Sequence, residues 1–194
     1  ALPARSEMCI RDSPVGQLKR IILFKAAGGP PAPLLSHVRY NALGQLIEET
    51  AGNGMLSSAR YDPADNRLLA LCCRHPDGTL LQDLHYRHDP LGNLLSLEDR
   101  ALPVRHFRNQ RIEPINHYRY DSLYQLIEAT GWEQDDSGHT LHLPDLQPTP
   151  MDPARLRNYR QTYHYDAAGN LTELRHVGAR QYTRILSVAA GSNR

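Results

Sequence analysis

Tyr165-Asp166-Ala167-Ala168-Gly169-Asn170-Leu171 is the stretch that decides the fold, because degenerate copies of it recur along the chain. The copies begin at Tyr40 (Tyr-Asn-Ala-Leu-Gly-Gln-Leu), Tyr61 (Tyr-Asp-Pro-Ala-Asp-Asn-Arg), His88 (His-Asp-Pro-Leu-Gly-Asn-Leu) and Tyr120 (Tyr-Asp-Ser-Leu-Tyr-Gln-Leu). A phrase that recurs in this way is typical of an array of similar supersecondary units. The sequence therefore predicts a repeat protein rather than a domain built around one site.

Each copy has the pattern of a β-hairpin. Residues ahead of the turn alternate, so that Tyr163 and Tyr165 share one face of a strand. An Asp or Asn follows, and its side chain can bond to the backbone two residues on, which starts a turn. Glycine then closes the turn with a positive φ at no steric cost, and apolar residues resume. The pattern predicts strand, turn of four or five residues, strand.

The repeat positions to which we assign a structural role are Tyr40, Gly44, Tyr61, Asp62, Asp89, Gly92, Asn93, Tyr120, Asp121, Tyr165, Asp166, Gly169 and Asn170. Two copies depart from the pattern, since Asp65 and Tyr124 stand where glycine is expected. Asp tolerates a left-handed backbone fairly well, whereas Tyr adopts it at a cost of about 1 kcal/mol or more. We therefore expect the fourth turn, which follows Tyr120, to be of another type.

The repeats occupy residues 36–194, and two segments precede them. Residues 1–13 are expected to be foreign or a disordered leader, because Ser6–Ser13 resembles the translation of a sequencing-library adapter. Residues 14–35 are predicted to be a linker that contains the turn-forming run Gly29–Pro33. Within the repeats, the polar, proline-rich residues 133–157 are predicted to be a loop insertion. The tail after Tyr182 suggests a truncation.

Composition excludes several classes of function. The chain has 22 basic and 21 acidic residues, a balance that argues against a dedicated nucleic-acid binder. No stretch approaches the roughly 20 apolar residues of a membrane-spanning helix. Three cysteines, two of them adjacent, do not form a disulfide framework. The chain has ten tyrosines and two phenylalanines. Because tyrosine has an apolar ring and a polar hydroxyl, this composition is typical of a half-buried sheet whose edge is in contact with water.

The candidate metal and thiol sites are weak. His85 and His88 are three residues apart and would face opposite sides of a strand, and no further ligands are suitably spaced, so we predict no metal site. Cys72 and Cys73 are interpreted as small buried hydrophobic residues, although Arg74 beside them could in principle lower a thiol pKa.

Asp135 and Asp136 are candidate catalytic carboxylates. A working pair must be held close enough to share a proton, and adjacent aspartates on a loop do not meet that condition. We interpret them as solvated loop residues, and we predict that the chain is not an enzyme and binds no cofactor. An enzyme with its site in the proline-rich insertion is the weakest alternative.

Several stretches resemble a known family, the YD or Rhs repeat proteins, and in particular the C component (TccC type) of tripartite insecticidal toxin complexes. They are Leu84–Asn93, Phe107-Arg108-Asn109-Gln110, His117–Gly131, Tyr182-Thr183-Arg184 and Ser192-Asn193-Arg194. The resemblance covers about residues 36–194. The block around Tyr120 together with Phe-Arg-Asn-Gln is its most specific part.

The resemblance implies an all-β fold, an antiparallel array of hairpins that forms a segment of a hollow spiral shell. In that family a B component completes the shell, which encloses a cytotoxic C-terminal effector released by an aspartyl autoprotease. Both autoprotease and effector follow the Ser-Asn-Arg stretch, so this chain is expected to be shell wall of a secreted toxin. Its expected partners are the rest of its own C component, the B component and the effector, with no nucleic acid and no membrane span.

A carbohydrate-binding or adhesion module is the alternative function, because aromatic faces can pack on sugar rings. Cross-strand aromatic pairing explains the repeated tyrosines without a ligand.

Overall fold

The computed structural model describes residues 7–13, 16–24, 30–135 and 155–188, and all regular secondary structure in these residues is β. The strands are β1 Glu7–Asp12, β2 Leu18–Phe24, β3 Ala32–Tyr40, β4 Leu46–Ala51, β5 Leu56–Tyr61, β6 Leu68–Arg74, β7 Leu80–His88, β8 Leu94–Asp99, β9 Arg105–Phe107, β10 Gln110–Ile112, β11 Ile115–Tyr120, β12 Leu126–Gln134, β13 Leu156–Tyr165, β14 Leu171–Val177 and β15 Gln181–Ile185. The described ranges contain no helix that could cross a membrane.

The main sheet has thirteen antiparallel strands, and its neighbours follow the chain from β1 to β8 and then from β11 to β15. Strands β9 and β10 pair with each other in a separate two-stranded sheet. The predicted fold class, an all-β antiparallel array of hairpins, is confirmed. The chain divides into two compact units, Ala1–His85 and Tyr86–Arg194, whose boundary falls within β7.

Within each unit, the repeat turns lie at one end of the strands. In the second unit they connect β11 to β12 and β13 to β14, with residues 121–125 and 166–170. The connections at the opposite end vary in length, and one of them carries the β9–β10 hairpin. In a meander of antiparallel strands, successive turns lie at alternate ends of the strands. The repeat turns therefore lie at one end and the connections that carry insertions lie at the other.

Few side chains are fully buried. In the described part of the chain the buried apolar residues are Val38, Ala70, Ile112, Ala129 and Leu156, and the buried polar ones are Ser96, Asp135 and His176. Most strand residues are half-buried. Ile112 and Leu156 are buried where the β9–β10 hairpin packs on β13. Fully buried apolar side chains are therefore few among the described residues, whereas a domain is normally stabilised by a packed core.

The structure places strands in both segments ahead of the repeats. Residues 1–13, expected to be foreign or disordered, include β1, and residues 14–35, expected to be a linker, include β2 and the start of β3. Ile10 pairs with Ile21, within a run of apolar and β-branched residues that suits a strand. Of the predicted loop insertion, residues 133–134 belong to β12 and 156–157 to β13, while residues 136–154 lie outside the described residues.

Candidate functional site

The turn after Tyr165 shows how one repeat is built. The Asp166 N–H donates to the Asn170 carbonyl at 2.9 Å, and the Gly169 N–H donates back to the Asp166 carbonyl at 3.0 Å. The Asp166 Oδ1 accepts from the amides of Ala168 at 2.9 Å and Asn170 at 2.8 Å. Gly169 has a φ of +85°. The predicted positive φ at Gly169 and the predicted bond from a turn amide to Asp166 are confirmed.

Three other copies repeat this arrangement with little change. Asp89 Oδ1 accepts from the second and fourth following amides at 2.9 and 2.8 Å, and Asp121 Oδ1 does so at 2.8 and 2.9 Å. Asn41, in the first copy, uses its amide oxygen in the same way at 3.0 and 2.9 Å. The residue after the aromatic therefore forms the turn through its Oδ1 atom, whether or not it carries a charge.

The asparagine after glycine acts on the turn carboxylate. The Asn170 Nδ2 donates to Asp166 Oδ2 at 2.9 Å, and the Asn93 Nδ2 donates to Asp89 Oδ2 at 2.7 Å. These side-chain bonds are the main reason that the pKa values of Asp166 and Asp89 lie below their ordinary value, with the turn amides adding to the effect. A hydrogen bond to the ionised carboxylate favours that form. Glycine and asparagine thus have separate roles. Glycine provides the left-handed backbone conformation of the turn, and asparagine stabilises the ionised form of the turn aspartate.

The prediction that the fourth turn is of another type is wrong. Tyr124 takes a φ of +63°, and the turn keeps the bonds of the others, from the Tyr124 N–H to the Asp121 carbonyl at 3.1 Å and from the Asp121 N–H to the Gln125 carbonyl at 3.0 Å. The surrounding hydrogen bonds outweigh the strain of a left-handed tyrosine, as occurs where neighbours over-determine the backbone.

The divergent turn is instead the second one. The Asp62 N–H donates to the Arg67 carbonyl at 2.8 Å, which makes this turn one residue longer than the other repeat turns. The left-handed residue is Asn66, with a φ of +62°, rather than Asp65. The extra residue moves the strained position by one, and asparagine tolerates that conformation well.

In three repeats the tyrosine before the turn donates its hydroxyl hydrogen bond to the neighbouring strand. The Tyr165 hydroxyl donates to the Leu126 carbonyl at 2.8 Å, the Tyr61 hydroxyl to the Leu46 carbonyl at 3.0 Å, and the Tyr40 hydroxyl to the Leu18 carbonyl at 3.0 Å. Each acceptor is the first residue of the strand that leaves the turn before. We call this series of bonds the tyrosine ladder.

The sequence predicts cross-strand pairing of the repeated tyrosines and does not reveal the tyrosine ladder. The acceptors of these bonds are backbone carbonyls, which every residue has. The residue types in the sequence therefore do not reveal which carbonyl accepts the bond. The one available signal was the recurrence of tyrosine, in four of the five copies, as the last residue before the turn.

A second polar cluster, also unpredicted, surrounds His176. This residue is 4% exposed and stacks between Tyr159, with ring centroids 5.7 Å apart, and Tyr182, at 4.8 Å. Its Nε2 lies 3.1 Å from Glu133 Oε1, and its Nδ1 lies 3.1 Å from the Gln161 side-chain nitrogen. Because that amide nitrogen can only donate, the network assigns the imidazole proton to Nε2, facing the carboxylate.

The His176 cluster ties strands together. Glu133 Oε1 also accepts from the Ala179 N–H at 2.7 Å, so that one carboxylate of β12 reaches both β14 and the loop after it. A side chain at Gly178 would overlap Glu133, which explains glycine there. The cluster holds a carboxylate and an imidazole, but no Ser, Thr or Cys hydroxyl or thiol is placed to act as a nucleophile with them in the described contacts. Its arrangement suits fixation of strands.

The other candidates from the sequence lie apart. His85 Nε2 is 3.0 Å from Asp83, and His88 stacks with Tyr86 with ring centroids 6.5 Å apart. No group of three His, Cys, Asp or Glu side chains could hold a metal ion, as far as the chain is described. Cys72 and Cys73 are free thiols and are half-buried rather than buried.

The interpretation of Asp135 as a solvated loop residue is wrong. Asp135 is 1% exposed, and its Oδ2 lies 3.0 Å from Arg108 Nη1. The β9–β10 hairpin brings this arginine over the end of β12, an approach between residues distant in sequence. Asp136 lies outside the described residues.

Comparison with known proteins identifies relatives. The chain is 40% identical over 177 residues to the toxin subunit YenC2 of Yersinia entomophaga, covering 86% of this chain and 18% of that protein. It is 34% identical over 210 residues to the toxin subunit YenC1 of the same organism, covering 98% of this chain and 21% of that protein. The chain therefore spans about a fifth of the length of these curated relatives. No protein-family model matches it.

Solved structures agree. The crystal structure of TcdB2-TccC3 superposes with a TM-score of 0.82 at 35% identity, over 98% of this chain and 9% of that one. A Tc holotoxin pore from Photorhabdus luminescens superposes with a TM-score of 0.76 at 36% identity, over 92% of this chain and 8% of that one. The chain is homologous to the YenC toxin subunits, and its likeness to a C component of the Rhs/YD type is supported.

Proposed function

We propose that this homologue of the toxin subunits YenC1 and YenC2 is a segment of the wall of a hollow β-shell that encloses a cytotoxic effector. The observation that carries the proposal is the tyrosine ladder, in which the last residue before a turn donates to the start of the strand after the preceding turn. In the three repeats that have it, this bond ties one hairpin to the strand before it. Such linkage suits an extended wall, whose units are stabilised by neighbours.

The packing also supports a wall. A self-contained domain buries one face of its sheet under a second layer, whereas the described strands here leave most residues half-exposed on both faces. Buried apolar residues of the described chain are few and scattered. A wall needs its faces open, one toward the contents and one toward solvent.

Partners follow from the proposal. Structures named for TcdB2 together with TccC3 contain a segment of the same fold, so we propose a B component as the partner that completes the shell. The rest of the C component would continue the sheet, and the effector would lie inside. We assign the segment no catalytic role and place it in a secreted complex.

The experiment is a protease-protection assay on the complete toxin subunit that carries this segment, assembled with its B component. Gly52→Val is the disrupting variant, because a side chain at Gly52 would overlap the backbone carbonyl of Pro33 on the neighbouring strand. Gly78→Asn is the matched control, since Gly78 occupies an equivalent turn with nothing within 4 Å and a left-handed φ that asparagine tolerates.

The effector in the native assembly and in the Gly78→Asn assembly is expected to resist cleavage. The effector in the Gly52→Val assembly is expected to be cut. An effector that is cut as fast in the native assembly as it is when free would contradict the proposal.

A carbohydrate-binding module is less well supported. The hydroxyls of Tyr40, Tyr61 and Tyr165 are already bonded to backbone carbonyls, and that of Tyr163 donates to Gln161 at 2.6 Å. These groups are engaged in holding the sheet rather than arranged to meet the hydroxyls of a sugar.

A further inference from the structure

The β9–β10 hairpin is inserted between β8 and β11 and lies against β13. Phe107 pairs with Gln110, which leaves Arg108 and Asn109 as a two-residue turn. Both have positive φ, at 48° and 61°. A tight hairpin turn of this kind requires a left-handed conformation at both central residues. Asparagine accepts it readily, whereas arginine has no backbone reason to be there.

The Arg108 side chain supplies another reason. Its guanidinium lies over the Phe107 ring, 5.3 Å from the centroid, and its Nη1 reaches Asp135 Oδ2 at 3.0 Å. The Asp135 side chain has no exposed surface, while that of Arg108 is 54% exposed. A carboxylate that is fully withdrawn from water requires a paired charge to remain ionised without a large cost.

Asp135 lies beside the paired ends of two strands. Strand β12 ends at Gln134 and β13 begins at Leu156, and these two residues pair with each other. The Asp135 N–H donates to the Arg155 carbonyl at 2.7 Å, one residue beyond that pair. The ion pair with Arg108 therefore acts on this end of the β12–β13 pair.

The same hairpin also holds β13. The Asn158 N–H donates to Gln110 Oε1 at 3.2 Å, and the Asn158 side-chain nitrogen donates to the Arg111 carbonyl at 3.0 Å. Ile112 is 2% exposed and lines a small apolar cavity with Trp132 of β12 and Leu156 of β13. The β9–β10 hairpin thus contacts the adjacent ends of β12 and β13 in three ways: through an ion pair, through hydrogen bonds and through apolar side chains.

We propose that residues 105–112 are a clasp that fixes the register of β12 and β13 at the end where Gln134 pairs with Leu156, with Arg108 as its positioning residue. This inference goes beyond the shell-wall function and does not depend on it, since it concerns only contacts within the second unit.

The test measures hydrogen exchange at the amides of Asp135 and Asn158 in the 194-residue chain. Arg108→Gly keeps a turn that favours positive φ and removes only the side chain. It should speed exchange at both amides by about ten- to a hundredfold, because the buried Asp135 carboxylate loses the positive charge that faces it. Trypsin should then cut after Arg155 and Arg157 faster than in the native chain.

Asn109→Gly is the matched control, because it relaxes the same turn and leaves Arg108 in place. It should leave exchange at Asp135 and Asn158 unchanged, and neither variant should alter exchange at Asn170 in the distant repeat turn. Unchanged exchange in Arg108→Gly would overturn the proposal, as would equal acceleration by Asn109→Gly.

Asp135→Asn supplies a second, independent variant. If the two side chains act as one unit, combining Arg108→Gly with Asp135→Asn should accelerate exchange no more than the stronger single change. Effects that multiply in the double variant would show that the two residues act separately and would also overturn the proposal.

Discussion

One hydroxyl group on a repeat tyrosine joins two neighbouring turns, and this is the smallest unit of the fold that the motif itself defines. The Tyr165 hydroxyl and the Leu126 carbonyl belong to adjacent strands of different repeats. A neutral hydrogen bond of this kind contributes about 0.5–1.5 kcal/mol to stability. One such bond is minor, but three of the five repeats contain it.

Tyr165→Phe is expected to destabilise the β12–β13 end of the sheet by about 1 kcal/mol, because the Leu126 carbonyl loses its donor and the ring is retained. Hydrogen exchange at the amides of residues 164–166 measures the change. Tyr124→Phe is the control, since Tyr124 is 57% exposed and a surface change of this kind is usually worth less than about 0.5 kcal/mol. Equal effects in the two variants would remove the tyrosine ladder from the explanation.

Gly169→Val is expected to destabilise its turn by about 1–3 kcal/mol, because valine strongly disfavours a φ of +85° and its Cβ would lie 3.0 Å from the Gln125 side-chain nitrogen. Exchange at the Asn170 amide reports the opening of the turn. Ala168→Val, in the same turn, should have little effect because it is exposed and has no such backbone demand. A native exchange rate in Gly169→Val would contradict the turn geometry.

At this scale the sequence predicted the turn residues well and the exceptions poorly. Asp166 and Gly169 follow from local rules of turn chemistry. Tyr124 does not, because its left-handed backbone is imposed by bonds to Asp121 and Gln125 rather than by its own preference. Asp135 was misjudged because its burial depends on Arg108, a contact that no local rule reports.

The hairpin, as an element, gains part of its stability from charge. The pKa values of Asp89 and Asp166 are held below the ordinary value of 3.8 by hydrogen bonds from Asn93 and Asn170 in the folded turn. A carboxyl group whose folded pKa is lowered contributes stability above its unfolded pKa. That contribution is lost as the pH falls through the lower folded value.

Acidification below about pH 4 is therefore expected to loosen the turns at Asp89 and Asp166. The first repeat turn provides an internal control, because Asn41 makes the same bonds and does not titrate in this range. A pH titration by nuclear magnetic resonance, following the amides of Gly44, Gly92 and Gly169, distinguishes the turns. Loss of all three turns at the same pH would show that the carboxylates are not responsible.

The sequence also predicted most of the elements. The recurring motif gave hairpins at β3–β4, β5–β6, β7–β8, β11–β12 and β13–β14, because alternation and turn residues are local signals. It did not reveal β1, β2 or the β9–β10 hairpin. Strands β9 and β10 have three residues each, too short for a period of two to be recognised, and their stability depends on packing against β13.

The chain as a whole has strand edges and apolar side chains in need of partners. Strand β15 pairs with β14 on one side and, among the described residues, with no strand on the other. Ile185 is 74% exposed on this strand, and Leu186 and Val188 follow with 43% and 46% exposure. An open edge with exposed apolar residues recruits other chains. A segment of a continuous wall would show this feature wherever it is separated from its neighbours.

Sedimentation velocity of the isolated 194-residue chain, over a range of concentrations, tests the shell-wall proposal most directly. A wall segment is expected to self-associate through its open edges, and association should fall when the rest of the C component and the B component are supplied by co-expression. A chain that stays monomeric at high concentration and unfolds cooperatively would contradict a wall segment and would indicate a self-contained binding module.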